Sequence, residues 1–252
     1  MARQKGIIKL KGTIGDITFY KTRDGYVARE KTSIDANRIA NDPAFQRTRE
    51  NGAEFGRAGK ASKLLRNALR PYFKNYADSR MTSRLTQAMM KVLQADLASV
   101  RGMRNVIDGE AELLSGFEFN RRGQLSGSLF APMTLAIDRT SGTVEFGLPA
   151  YVPQIMVGAP AGTTHYGIIS VAVAVNFETE DFEVSAEQTS VLPYDNAIAA
   201  ALQHSHSLAA GSSVPIFLCA GMEFFQEVNG EQYALRNGAY NPFSIVKVDG
   251  GV

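Results

Sequence analysis

Apolar residues recur at helical spacing in the first half of the chain and at alternate positions in the second. The helical signal is clearest at Leu85, Ala88, Met89, Val92, Leu93, Leu97 and Val100, one face of a 3.6-residue repeat, with Arg84, Gln87, Lys91 and Gln94 opposite. Asp96 interrupts the apolar stripe, and Asp78 or Ser79 supplies the cap. An earlier helix is predicted over residues 43–69, opened by Asp42 as N-cap with Pro43 at the first helical position and ended by Pro71. Its inner face reads Phe55, Ala58, Leu65 and Leu69. Gly52, Gly56 and Gly59 each cost about 1 kcal/mol relative to Ala in a helix interior. Their presence predicts close approach of another backbone, or a break near Gly52. Residues 33–41 read as irregular, and Met81, Met89 and Met90 read as packing residues.

Beyond Gly109 the period is two. Ile169, Val171, Val173, Val175 and Phe177 alternate with Ser170, Ala172, Ala174 and Asn176, and Phe182, Val184 and Ala186 continue past a tip at residues 178–181. Residues 135–137 and 144–146 form a second hairpin around residues 139–142. Residues 214–228 and 232–235 flank Asn229-Gly230, a strong tight-turn signal. A last strand covers residues 243–248. Near the N-terminus, residues 7–11 read as a short strand ended by Gly12, and residues 17–22 and 26–30 as a hairpin turning at Arg23-Asp24-Gly25. The predicted fold is α+β: an N-terminal β unit (residues 1–32), a basic helical region (33–108) and an acidic antiparallel β-sandwich (109–252). A small β unit of this kind has too few strands to stand alone.

The 252 residues are 44% hydrophobic and 21% charged, which is ordinary for a globular chain. Charge changes the picture more. Residues 1–108 hold 22 Lys and Arg against 10 Asp and Glu, whereas residues 109–252 hold 5 against 15. A chain of net charge +2 is thus a basic half joined to an acidic half. No apolar run reaches the roughly 20 residues of a spanning helix, and none follows the N-terminal basic residues at signal-peptide length. The expected compartment is the cytoplasm.

Candidate chemistry is sparse. Residues 56–62 imitate a phosphate-binding loop, but Glu54 stands where the leading Gly is needed and Ala61 where Ser or Thr must follow Lys60. His204 and His206 read as a polar loop pair in residues 196–213, because no carboxylate falls in that stretch to complete a metal site. Cys219, the single cysteine, sits in an apolar run as an inert thiol. The acidic tip lacks the Asp/Asn ladder of calcium loops. No Gly-x-Ser-x-Gly elbow occurs. No cofactor or metal and no small-molecule substrate is expected. Aromatics of the basic half (Phe19, Tyr20, Tyr26, Phe45, Phe55, Tyr72, Phe73, Tyr76) interleave with Arg and Lys in a way that fits base stacking and phosphate contact.

Residues 6–30, from Gly6-Ile-Ile-Lys-Leu-Lys through Gly25-Tyr-Val-Ala-Arg-Glu, resemble the opening of a family of bacterial proteins found mainly in Bacteroidota. The segment from Asp42-Pro-Ala-Phe-Gln-Arg to Lys60 is similar to that family's next block. Residues 221–241, with Gly221-Met-Glu-Phe-Phe, resemble its C-terminal end. The resemblance spans both ends of the chain. It implies kinship with proteins of cytoplasmic fibrils or rhapidosome-like tubes and brings no enzymatic activity and no site residue with it.

The function expected from the sequence is that of a non-enzymatic structural protein that polymerises with itself into a cytoplasmic filament or tube. Its contacts are expected to be strand addition through Ile7, Ile8 and Leu10 and charge pairing between subunits. The basic partners are Arg47, Arg49, Arg57, Lys60, Lys63, Arg66 and Arg70, and the acidic ones Glu178, Glu180, Asp181 and Glu183. The alternative is a nucleic-acid-binding or phage-like particle protein that uses the basic half. A carbohydrate-binding sandwich is weaker, since the chain has no Trp and no export signal.

Overall fold

A computed structural model describes residues 2–30, 36–73 and 78–251, which form an α+β chain of two compact units, Met1–Arg49 and Glu50–Val252. The expected boundary at residue 32, the irregular reading of residues 33–35 and Tyr76 lie outside the described residues.

The first unit is a four-stranded antiparallel sheet in the order β1-β4-β3-β2, formed by β1 (Ala2–Arg3), β2 (Gly12–Ile14), β3 (Ile17–Thr22) and β4 (Gly25–Glu30). The expected strand at residues 7–11 is not one. The chain bends there, and strands lie on either side of it. The Gln4 side chain accepts from Leu10 N at 2.8 Å and donates to Val27 O at 3.0 Å, and these side-chain bonds replace a strand ladder. The β3–β4 hairpin turns one step earlier than predicted. Thr22 pairs with Gly25, and Asp24 N donates to Thr22 Oγ1. Ala36–Asn41, expected to be irregular, is a short helix, α1. Among the described residues, no side chain of this unit is buried.

Asp42 does act as a cap. It accepts from Ala44 N at 2.9 Å above a short 3-10 turn, and α2 then runs unbroken over Gln46–Phe73. Pro71, expected to end the helix, lies inside its last turn, two residues before the end at Phe73. Ala58, Ala61, Leu65, Ala68, Leu69 and Phe73 face inward, but Phe55 is 61% exposed. A Cβ built on Gly52, Gly56 or Gly59 meets nothing within 4 Å, so the expected close approach and the break at Gly52 are both absent. The next helix, α3 (Met81–Gln94), starts after Arg80 and stops short of its predicted end. Asp96 is the reason. Its carboxylate accepts from Ala98 N, Ser99 N and Asn105 N, which turns the backbone away from helical bonding and leaves Leu97 96% exposed.

The rest is antiparallel sheet. Strands β5 (Thr134–Asp138), β6 (Thr143–Leu148) and β10 (Leu202–Ser207) form a three-stranded sheet ordered β10-β6-β5. The larger sheet is built around β7 (His165–Asn176) and β11 (Ile216–Val228), with β8 (Asp181–Gln188) and β9 (Leu192–Pro193) on β7, and β12 (Glu231–Ala234) and β13 (Phe243–Asp249) on β11. All three hairpins predicted beyond Gly109 occur. Asn229 and Gly230 both adopt positive φ, as their turn requires.

The alternation in β7 means something other than one wet face. Ile169, Val171, Val173 and Val175 pack against α2 and α3, while Tyr166, Ile168, Ala172 and Ala174 pack against the smaller sheet. The large branched side chains fill the gap to the helices. Small ones on the other face let the second sheet approach. The sandwich is therefore the outer part of three layers, and α2 and α3 share a core with the larger sheet. Among the described residues no helix is long and apolar enough to cross a membrane.

Candidate functional site

Residues 202–208 repeat apolar or imidazole side chains at every second position, Leu202, His204, His206 and Leu208, with Gln203, Ser205 and Ser207 between them. That is a strand pattern, and β10 pairs with β6 along its length. The expected polar loop pair is thus a buried strand pair. His204 sits opposite Phe146 and His206 opposite Val144, both facing the larger sheet. There Ser170 lies between them, with Oγ 2.6 Å from His204 Nδ1 and 2.8 Å from His206 Nε2.

A hydroxyl has one proton, so Ser170 donates to one ring and accepts from the other. His206 Nδ1 is buried without a partner. A bare ring nitrogen left there costs less than an unsatisfied N–H, which places the His206 proton on Nε2, donating to Ser170. Ser170 then donates to His204 Nδ1, and His204 Nε2–H is left over. Burial holds both imidazoles below their ordinary pKa, against a smaller upward pull from Glu187, the residue paired with Ser170 on β8.

The chain of hydrogen bonds ends at a cleft. His204, Tyr151 and residues of the segment after β8 line a cavity of about 450 Å³ with predominantly apolar walls (Leu192, Pro193, Ile198, Leu202) and two carboxylates, Glu187 and Asp195. Its volume is within the range of ligand-binding clefts. Under it, the Tyr151 and Tyr166 hydroxyls are 2.7 Å apart, and burial pushes both phenols upward in pKa. Ser170 is fully buried and does not line the cleft, so an occupant meets His204 and not the hydroxyl. No cluster of three or more His, Cys, Asp or Glu suited to a metal occurs among the described residues. Cys219 is buried, and burial raises its thiol pKa far above the ordinary value.

The basic residues named for an interface divide into two groups. Arg49 donates to Ile39 O and Asp42 O, Arg57 to Arg104 O and Gly102 O, and Arg66 to Thr82 Oγ1. Arg49 and Arg57 thus hold turns of their own chain, and Arg66 ties α2 to α3. Arg47, Lys60, Lys63 and Arg70 are exposed. The acidic tip is not wholly free either. Glu183 accepts from Ala209 N at 2.9 Å, and Glu180 lines a small pocket of about 160 Å³ together with Arg57 and Lys60 of the same chain. One acid of the tip and two basic residues of α2 thus line the same pocket within one chain. Aromatics of the basic half are also occupied: Lys21 lies over Tyr26, Arg29 over Tyr20 and Arg38 over Phe45, while Phe73 is core.

Sequence reasoning missed the ion pair that fixes the turn after α3. Glu54 accepts from Gly102 N and, through both oxygens, from Arg104, each at 2.8 Å. Arg104 holds its carboxyl below the usual range, outweighing burial. An acid on the inner face of a basic helix, four residues before Ala58, is the signal that could have revealed it. Ile7 and Ile8, by contrast, are fully in solvent at 102% and 80% exposure, and Leu10 is 42% exposed.

No protein family matches the chain, and no curated protein matches it. Among solved structures, an AA10 lytic polysaccharide monooxygenase from Streptomyces lividans is similar at 17% identity over 54% of this chain and 69% of that one, with a TM-score of 0.18. A likeness that slight carries no argument about fold or chemistry.

Proposed function

We propose that this is a non-enzymatic structural protein of the cytoplasm that assembles with copies of itself into a filament or tube. The observation that carries the reading is the N-terminal unit, in which no described side chain is buried and five isoleucines and leucines (Ile7, Ile8 and Leu10 in a loop, Ile14 and Ile17 on strands) are exposed. A short-stranded sheet gains independent stability by burying an apolar face. Exposed apolar clusters and open strand edges favour a partner surface. The basic and acidic halves supply complementary charge for head-to-tail contact, which propagates unless its rotation closes a ring. The kinship with fibril and tube proteins that the sequence resemblance implies is in keeping with this reading.

Negative-stain microscopy of the purified full chain across a concentration series tests this. Regular polymers above a threshold concentration are expected. A uniform population of single chains at all concentrations overturns the proposal, and co-purifying nucleic acid, read from the 260/280 nm absorbance ratio, would favour the alternative use of the basic half.

A further inference from the structure

Building on the assembly reading, we infer that the loop carrying Ile7 and Ile8 is a prong that inserts into the cleft beside His204 of a neighbouring copy. The loop is not slack. Gln4 N donates to Tyr26 O on β4, and the Gln4 side chain accepts from Leu10 N and donates to Leu10 O and Val27 O. Lys9 Nζ closes the loop from within, donating to Gln4 O at 2.7 Å and Gly6 O at 2.6 Å. The chain between residues 4 and 10 is therefore clasped at its base, and its two isoleucines project into solvent. Such ordering before contact removes much of the entropic cost of docking.

The cleft complements this prong in shape class and charge. Leu192, Pro193, Ile198 and Leu202 give it an apolar wall for branched side chains, and its 450 Å³ is space for a small group of them. Glu187 and Asp195 stand on its lining, whereas the prong is flanked by Arg3, Lys5 and Lys11. His204, with Nδ1 taken by Ser170, has Nε2 left to meet a main-chain carbonyl of the incoming loop. Each copy carries one prong in its first unit and one cleft in its second. The contact is thus heterologous and leaves a free prong at one end of every open oligomer and a free cleft at the other.

The test uses the full chain with single cysteines at Ile8→Cys and Ile198→Cys, because native Cys219 is fully buried and gives a clean background. The two variants are mixed under assembly conditions and oxidised gently, each alone serving as the blank. A reducible dimer in the mixture, and a ladder of dimers, trimers and larger species from the double variant, is the expected result. In parallel, Ile198→Lys, a change at an exposed rim position, should raise the threshold concentration for polymers at least tenfold. Polymers that form normally with no Ile8–Ile198 cross-link, or cross-linking confined to one chain, overturn the prong-in-cleft contact and leave the assembly reading standing. Absence of polymers in the unmodified chain overturns both.

Discussion

Glu54 and Arg104 form the buried ion pair on which the turn after α3 depends, and removing either partner should cost different amounts. The Glu54 side chain is 1% exposed and that of Arg104 21%. Arg104→Ala leaves an ionised carboxylate in the interior with Gly102 N as its remaining donor, and about 3–5 kcal/mol should be lost near neutral pH, as for other broken buried pairs. Glu54→Ala leaves a guanidinium that keeps the Gln94 carbonyl and turns its free edge to water. That variant forfeits charge-assisted hydrogen bonds without burying a bare charge, about 1.5–3 kcal/mol. The acid's pKa is lowered in the folded state, first by its hydrogen bond to Arg104, so its contribution is present above the unfolded value of 4.5 and is lost as pH falls below it. In Arg104→Ala the carboxyl can instead protonate, and the gap to the unmodified protein should narrow in mild acid. Urea unfolding of both single variants and the double variant, at neutral and mildly acidic pH, measures all of this. If Glu54→Ala is as costly as Arg104→Ala, with no change in the gap on acidification, the pair behaves as a solvated surface contact and the reasoning fails.

The acidic half supplies two further expected outcomes. Burial lowers the pKa of His204 and His206, so the unfolded chain takes up protons first as pH falls below about 6.5, and stability should drop by up to about 1.4 kcal/mol per pH unit for each ring until the native values are reached. The urea midpoint should fall between about pH 7.5 and 5.5 in the unmodified protein and much less in His204→Gln/His206→Gln, and equal slopes would mean that the rings titrate as if solvated. At the tip, Glu178→Gln/Glu180→Gln/Asp181→Asn/Glu183→Gln keeps the Glu183 acceptor for Ala209 while removing the charge. It should raise the threshold for polymers in dilute buffer and change little in molar salt, where the screening length falls from roughly 8 Å to roughly 3 Å. Exposed pairs are worth about 0.2–1 kcal/mol each, so an unchanged threshold in dilute buffer would take the tip out of the interface and leave it to its own chain's Arg57 and Lys60.

Much of the scaffold is legible in the sequence because its signals are local. Asp42-Pro43, the apolar stripe from Leu85 to Leu93, and Asn229-Gly230 each specify their element within a few residues, and each element forms. What stays hidden depends on neighbours far along the chain. Asp96 reads as a blemish in a helix because its three backbone donors lie beyond it in the turn it creates. Ser170 reads only as one of the small residues of an alternating strand, because its partners are 34 and 36 residues away. His204 and His206 invite a reading as metal ligands, which obscures the Leu-x-His-x-His-x-Leu alternation that marks a buried strand. The basic helix reads as one free surface, yet Arg49 and Arg57 are tied to the chain's own turns and Arg66 to α3. Of the apolar residues in the expected interface, Ile7 and Ile8 are the most exposed.

The central claim is that the N-terminal sheet is completed by another copy of the chain. The most direct measurement compares the full chain with one lacking residues 1–11, by pelleting and negative-stain microscopy over the same concentration series, with circular dichroism to follow the fold. The unit formed by Glu50–Val252 holds both apolar cores and should keep its spectrum and cooperative unfolding. The account predicts polymers from the full chain and dispersed, folded subunits from the shortened one. Polymers of equal abundance and threshold from both would contradict it.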